Sequence, residues 1–547
     1  MPRRSLKQDS FFNPEFVCPT CIEEGTIAWL LARYRSRLFP QWLFKDWRGQ
    51  SRLGRSAWPP EVLMTLVLLR FGEQGVSRRA SCRRANTDAT WRAAMGLHFG
   101  IAPPDEKTVR SFEKFLRQPH SDAQMPRFML FHEHVVRLCQ KAGVVEKEPI
   151  WVTDSTPMWC YGAVIDTVRL LGEGVKQVAK TWADARRVSV ERVAQNWQVD
   201  WILAPSIKGA FRVDWSDKHA KDKLVTRLAH IAIEAVERVR RGLDEVRRGK
   251  RKRLVKQCRN LMKVVEQNLE ASPQGGLQVA QRVAVDRLIS LTDPQARHGR
   301  KSKSHRFNGF KLHVLGDAVS GLILSLAVTA GNIHDGQPAP RLIRRAKGLC
   351  KSMQVVLGDT AYGATRLRIE AEKSCGVKII APPPKGPPGQ GLGKEAFELD
   401  LAQGIAICPN GVTSRDLKYL DYGNKHGEKA PRFLWPRKIC QECPLFDECR
   451  APRKKGNSRM RFHPHEQKLR AIRAEWDKPE TRQEYKKRAQ GERLIKETVR
   501  RGARKAMAWG LGSAELQAYV IVMVNNLSLL ARNLAEQEAP GVFDVAA

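Results

Sequence analysis

Residues 150–159 read IWVTDSTPMW, directly after Pro149, and the fold turns on how this stretch is taken. Ile150, Trp151 and Val152 are β-favouring and apolar, while Asp154, Ser155 and Thr156 are polar. This is the texture of a buried strand whose far end carries an acid and two hydroxyls. A second apolar run, QVVLGDTAYG at 354–363, delivers Asp359 in the same way. Between them, FNGFKLHVLGDAVSGLILSLAVTAG at 307–331 holds two strand-like runs separated by Asp317 to Gly321, which predicts an antiparallel hairpin.

Further out, NIHDGQPAPRLIRRAK starts a helix near Asp335, a plausible N-cap, with His334 read as packed beside it; another helix runs from about Ala364 to Lys373, followed by the run VKIIAPPP. From about Asp166 to Leu288, stretches rich in Val, Leu, Ala, Arg and Lys with few breakers read as helices. The order is strand, helical insert, hairpin, helix, strand, helix, strand, then a final helix. It matches an α/β, ribonuclease-H-like mixed sheet with helical and Cys-containing inserts, preceded by an all-α N-terminal domain. The expected divisions are 1–148 helical; 149–165 and 289–383 core; 166–288 basic helical insert; 384–465 Pro/Gly- and Cys-containing insert; and 466–547 closing helices.

The chain has 547 residues, enough for several domains with ample cores, and 95 Lys plus Arg against 57 Asp plus Glu give a formal net charge of +38. Such a surplus attracts polyanions, with an affinity that weakens steeply as salt rises. The opening MPRRSLKQDS has no apolar stretch behind it, and runs such as Val62 to Leu69 are too short to span a bilayer, so a cytoplasmic location and no membrane partner are expected. Two basic segments stand out. VSRRASCRRANTDATW at 76–91 carries Arg78, Arg79, Arg83 and Arg84 between apolar patches, and RVRRGLDEVRRGKRKRLVKQ at 238–257 is hardly interrupted by acids. Each suits a helix lying along a phosphate backbone; the first equally suits a solvated helix face, while the scarcity of acids in the second favours DNA over a solvated surface.

The chemistry is expected at a third place. Tyr485, Arg488, Glu492 and Lys496 in YKKRAQGERLIK fall on one face of a predicted helix and project together. Asp154, Asp359 and Glu492 together are the carboxylate set that a pair of magnesium or manganese ions requires for phosphodiester cleavage. Taken singly, the aspartates are ordinary turn or cap residues and the helix face an ordinary salt-bridged ladder; their coincidence on a basic chain favours a catalytic site. Lys311 and His313 alternate along one strand face, open to solvent or DNA, and Trp159 reads as packing. Cys440-x2-Cys443-x5-Cys449 with Cys408 has the content of a zinc site, but the long spacing to Cys408 leaves zinc and plain reduced thiols both open. Cys18-x2-Cys21 reads as two ordinary thiols.

On Tyr485, Arg488 and Glu492, with Asp154 in WVTDST and Asp359 and Tyr362 in VVLGDTAYG, the chain resembles the DDE transposases of bacterial insertion sequences that carry a Tyr-x2-Arg-x3-Glu signature. RHGRKSKSHRFNGFKLHV, GNIHDG and AYVIVMVNNLSLLARNL extend the resemblance over most of the chain. It implies a recombinase that binds the terminal inverted repeats of its element, nicks DNA with two metal ions, and joins the freed 3′-hydroxyl to target DNA. A dimer on DNA, associated with the bacterial nucleoid, would follow. Asp154, Asp359 and Glu492 would hold metal, while Arg488, Lys496, Arg500 and Tyr485 would grip DNA. The family pattern often has a lysine seven residues after the glutamate, where this chain has Val499, so Lys496 and Arg500 compete for that role. A silent DNA-binding derivative and a structure-specific nuclease on the same core are the rival expectations.

Overall fold

The computed structural model describes residues 22–47 and 57–537, apart from 73, 146, 274, 303, 385–390, 424–426 and 452–455; Cys18 and Cys21 lie outside the described residues. The chain forms two compact units, Met1–Lys351 with Gln490–Ala547, and Ser352–Ala489. The architecture is mixed α/β with a helical N-terminal region.

In the first unit the N-terminal helices start where the sequence supplies caps. Thr26, Ser77, Asp88 and Asp105 each accept from the backbone N–H of the third residue on, at 3.2, 3.1, 3.1 and 2.7 Å, and Pro60 opens the Pro60–Leu69 helix. The sheet is built on β5 (Arg306–Asp317). It pairs antiparallel with β1 (Trp151–Trp159) along one edge, and with β6 (Ile323–Ala330) and β4 (Arg297–Arg300) in succession along the other. The hairpin turn falls at Asp317 to Gly321 as the sequence indicates, with Asp317 accepting from the N–H groups of Val319 and Ser320.

β1 is longer than its sequence suggests. The polar triplet does not end it, and the strand runs on through Pro157 to Trp159, so Asp154 sits mid-strand. Pro157 is tolerated because its neighbours on β5 hold the ladder on either side, and Trp159 finishes the strand by donating its N–H to the Arg504 carbonyl at 2.8 Å.

The helix Leu511–Gln537 is apolar and long enough to cross a membrane, but 83% of its apolar window is buried within this protein. Its polar residues explain its place. Asn526 accepts from the N–H of Ile323 at 3.1 Å and donates to the same residue's carbonyl at 2.9 Å, and Tyr519 donates to the Leu326 carbonyl at 3.1 Å. These bonds satisfy backbone groups of β6 that no strand pairs.

Between β1 and β4 the helices Thr167–Arg186, Lys218–Arg241 and Arg248–Asn268 pack on a core of their own, with Leu171, Val178, Leu228, Ala232, Leu254 and Leu261 all buried. A small hairpin of β2 (Leu269–Ala271) and β3 (Leu277–Val279) follows.

The second unit contains a parallel pair, β7 (Val355–Leu357) and β8 (Lys378–Ile380), joined by the helix Thr365–Cys375, and two small antiparallel sheets, Glu398–Asp400 with Ile405–Ile407 and Thr413–Ser414, and Leu417–Asp421 with Lys429–Trp435 and Ser458–Arg461. Phe397, Phe433, Trp435 and Phe462 form the core around these sheets.

Candidate active site

Register decides which β1 side chains act together. Val152, Asp154, Thr156 and Met158 point to one face, while Thr153, Ser155 and Pro157 point to the other, since side chains alternate along a strand. On the Asp154 face, Gly491 lies against Val152. A Cβ at position 491 would fall 2.5 Å from Val152 Cγ1, so only glycine permits the approach. The next residue, Glu492, is exposed and opens the helix Glu492–Thr498. Two residues along β1, Thr156 accepts at 3.1 Å from the guanidinium of Arg504. Asp154, Glu492 and Arg504 are thereby brought to one side of β1. Arg504 was missed by the sequence reading, because nothing in RRGARKA distinguishes it from its neighbours; the backbone bond from Trp159 to Arg504 brings it there.

The expected ladder is not one helix. Tyr485 lies in the helix Pro479–Lys486, Arg488 in a 3-10 turn over Lys487–Gly491, and only Glu492 and Lys496 share a helix. A five-residue π-helical segment, Val499–Ala503, follows, with Gly502 at φ 100°, a left-handed conformation in which a side chain would be strained. Tyr485 stacks edge-on against Trp476 at 4.9 Å. Arg500 is paired with Glu497 at 2.8 Å, whereas Lys496 is exposed and makes no ion pair among the described residues, which favours Lys496 as the available cation.

Asp359 belongs to the second unit. It follows β7 and caps the 3-10 turn Thr360–Tyr362, with Oδ1 accepting from the Ala361 N–H at 2.9 Å. Asp154 likewise spends Oδ1 on the Ser155 N–H at 2.7 Å. Among the described residues, no three His, Cys, Asp or Glu side chains are grouped so as to hold a metal ion.

The other face of β1 carries a buried polar network that corrects three expectations. Asp335 is not a helix cap: the helix starts at Ala339, fixed by Pro338 and Pro340, and Asp335 instead accepts from Lys311 Nζ at 2.6 Å and from the Ser155 hydroxyl at 2.8 Å. Burial pushes its carboxyl up, but the bond and charge of Lys311, with help from Ser155, outweigh this and hold it below its ordinary value. Lys311 and His313 face neither solvent nor a free surface. Lys311 is tied to Asp335 and to the Ile333 carbonyl, and His313 is buried with Nε2 at 2.9 Å from the Thr329 hydroxyl. His334, expected to be packed, is exposed, and Trp159, read as packing, is 41% exposed beside Phe307.

The arginines of the Arg78–Thr87 helix divide. Arg78 turns inward to Glu113 at 2.6 Å, and Arg84 pairs with Asp88 at 2.9 Å and lies over Trp91, so neither is spare. Arg79 and Arg83 are exposed, one turn apart, and make no ion pair among the described residues.

In the second unit Cys408, Cys440, Cys443 and Cys449 line one small cavity with Phe446 and Trp435, and all four are free thiols. Two tight turns present them: the Gly411 N–H reaches the Cys408 carbonyl at 2.8 Å, and the Cys443 N–H reaches that of Cys440 at 3.2 Å. Burial pushes the Cys449 thiol up and the other three sulfurs add to that, against the N–H of Ala451.

Among known families, a model described as "Transposase DDE domain" matches residues 407–531, and one described as "Transposase domain (DUF772)" matches residues 35–114. Together they support a transposase of the DDE family, and hence a DNA-cleaving enzyme with DNA as its partner. No curated protein and no solved structure matches the chain.

Proposed function

We propose that this chain is the transposase of a bacterial insertion sequence, with a ribonuclease-H-like core, that binds the terminal inverted repeats of its element, nicks beside them and joins the freed ends to target DNA. The observation that carries the reading is the approach of Gly491 to Val152, which sets Glu492 on the face of β1 that bears Asp154. The third carboxylate, Asp359, is assigned from its sequence context.

The donor set fits magnesium or manganese, since carboxylate oxygens are the hard ligands these ions take; when bound, such ions neutralise phosphoryl charge and acidify water. The chain's own residues have separable tasks. Lys496 offers an uncommitted ammonium one turn from Glu492, suited to a phosphate near the scissile bond, and Arg504 offers a guanidinium on the other flank of Asp154. Arg488 and Tyr485 would contact DNA from the preceding segments. Arg79 and Arg83 would meet the backbone of the terminal repeat, Arg78 and Arg84 acting by holding their helix in place. A dimer would synapse two element ends, and the enzyme would work on the nucleoid in the bacterial cytoplasm. A structural zinc on Cys408, Cys440, Cys443 and Cys449 belongs to the same reading, with the thiol side chains turning into the cavity they line.

Incubating the purified protein with magnesium, pre-cut element ends and plasmid tests the reading. Joined product is expected from wild type and none from Asp154→Asn, Asp359→Asn or Glu492→Gln. Hydrolysis without joining would favour a nuclease, and DNA binding without either reaction a silent derivative.

A further inference from the structure

The segment between β1 and β4 lies outside both matched stretches, and its last long helix is strongly basic. Its helix Arg248–Asn268 reads RGKRKRLVKQCRNLMKVVEQN, in which Glu266 is the one acid. Arg248, Lys252, Lys256 and Arg259 follow spacings of four, four and three, so they form a single stripe opposite the buried Leu254, Cys258 and Leu261. All four are exposed, as is Arg253 beside them, and none makes an ion pair among the described residues.

Several exposed helix cations of this protein are answered by acids one turn away, as Arg110 is by Glu106 at 2.8 Å and Arg500 by Glu497 at 2.8 Å, whereas the stripe aligns four unanswered cations on one face. The acids of neighbouring segments are spent on cations off the stripe: Asp184 takes Lys250 at 2.5 Å and Asp286 takes Lys263 at 2.6 Å. The cations also crowd the first turns of the helix, where the macrodipole is positive and the charge is least welcome. Arg253 and Lys256 further line a concavity of about 170 Å³ with Asn260, Thr292 and Pro294.

We infer that this stripe is a second DNA-binding surface, tracking a phosphate backbone without reading bases. At about 1.5 Å rise per residue, Arg248 to Arg259 covers roughly 16 Å, the length over which one DNA strand presents about five phosphates. A DNA backbone matches a straight row of like charges at this spacing, and Arg and Lys with no base-reading amides or aromatics among them give affinity without sequence preference. The inference extends the proposed function to a segment outside the carboxylate site, and its test is independent of catalysis.

The experiment compares the full chain with two equally discharged variants on DNA lacking element ends, without magnesium, measuring affinity against salt. The stripe variant is R248Q/K252Q/R253Q/K256Q/R259Q; the control removes the same charge from acid-paired, exposed cations, K45Q/R110Q/K378Q/K468Q/R482Q. Each phosphate contact contributes about 0.9 to the slope of log affinity on log salt, so the stripe variant is expected to lose about 4 to 5 and the control less than about 1. A partial variant, R248Q/K252Q/K256Q, is expected to lose about 2.7, and guards against misfolding of the larger set. Equal losses in stripe variant and control, an unchanged slope in the stripe variants, or absence of DNA binding by wild type would each overturn the inference. End joining is scored separately: if wild type fails to join ends while the slope difference holds, the transposition reading falls and the surface stands.

Discussion

Ser155 donates its hydroxyl to Asp335 at 2.8 Å, which ties the residue after Asp154 to a carboxylate that also holds Lys311 at 2.6 Å. The three groups brace β1 from the face opposite Asp154. Asp335→Ala would strand Lys311, which is only 12% exposed, without its partner. The expected cost is about 2 to 4 kcal/mol of stability, the range for breaking a buried pair from one side. Ser155→Ala removes only the hydrogen bond and should cost about 1 kcal/mol. If Asp154 needs this brace, Ser155→Ala lowers the joining rate beyond what its melting temperature explains. A denaturant titration beside a single-turnover joining assay checks both.

Glu113 is the anchor of the N-terminal region, accepting from Arg70 and from Arg78 while itself almost fully buried. Arg70 is buried too, and that burial draws its pKa down against the attraction of Glu113. Glu113→Ala leaves a buried cation unanswered and is expected to cost about 3 to 5 kcal/mol. Arg78→Ala should likewise be read in the melting curve, whereas R79A/R83A should leave the melt unchanged and weaken DNA binding, with a salt slope shallower by about 2. A binding loss from Arg78→Ala alone, at full stability, would reverse this division.

The division among these arginines shows what the sequence could and could not supply. Caps, Pro at helix starts and the hairpin turn at Asp317 to Gly321 are local signals, and the elements begin where they indicate. Which of four arginines in one short helix turns inward depends on Glu113, more than thirty residues away, and nothing local reports it. The helix face of Tyr485, Arg488, Glu492 and Lys496 failed too. Periodicity assumed an uninterrupted α-helix, but a 3-10 turn over Lys487–Gly491 changes the spacing, and Glu492 is the first residue of the next α-helix. Asp335 had the local look of a cap, and Lys311 on β5 claimed it.

The four thiols around the cavity in the second unit give a prediction with a metal readout. Purified from zinc-supplemented culture, the protein is expected to carry about one zinc per chain by elemental analysis, the number a four-thiolate site holds. C440S/C443S should abolish it and expose the 407–450 region to protease, because a loop-rich segment with a small core leans on its metal. Full protease resistance of metal-free wild type would show that Phe397, Trp435 and Phe462 suffice without zinc.

Two buried histidines set an acid limit on stability. Burial, with Arg345 nearby, pushes His132 down to about 3, and burial pushes His313 down to about 4 despite Asp335. Both stay neutral in the folded chain at pH values where an unfolded histidine, with its ordinary pKa of 6.5, takes up a proton. Between pH 6.5 and 4 the unfolded state therefore binds more protons, so stability is full above about 6.5 and declines as pH falls. Each site contributes about 1.4 kcal/mol per pH unit in that window, which amounts to roughly 4 kcal/mol for the pair between pH 7 and 5. His132→Gln removes one titrating group and should halve the decline, although its stability at pH 7 will be lower because the side chain packs against Tyr519. Urea midpoints measured at pH 7, 6 and 5 for wild type and variant check the sign: a wild-type midpoint that rises on acidification would refute the account.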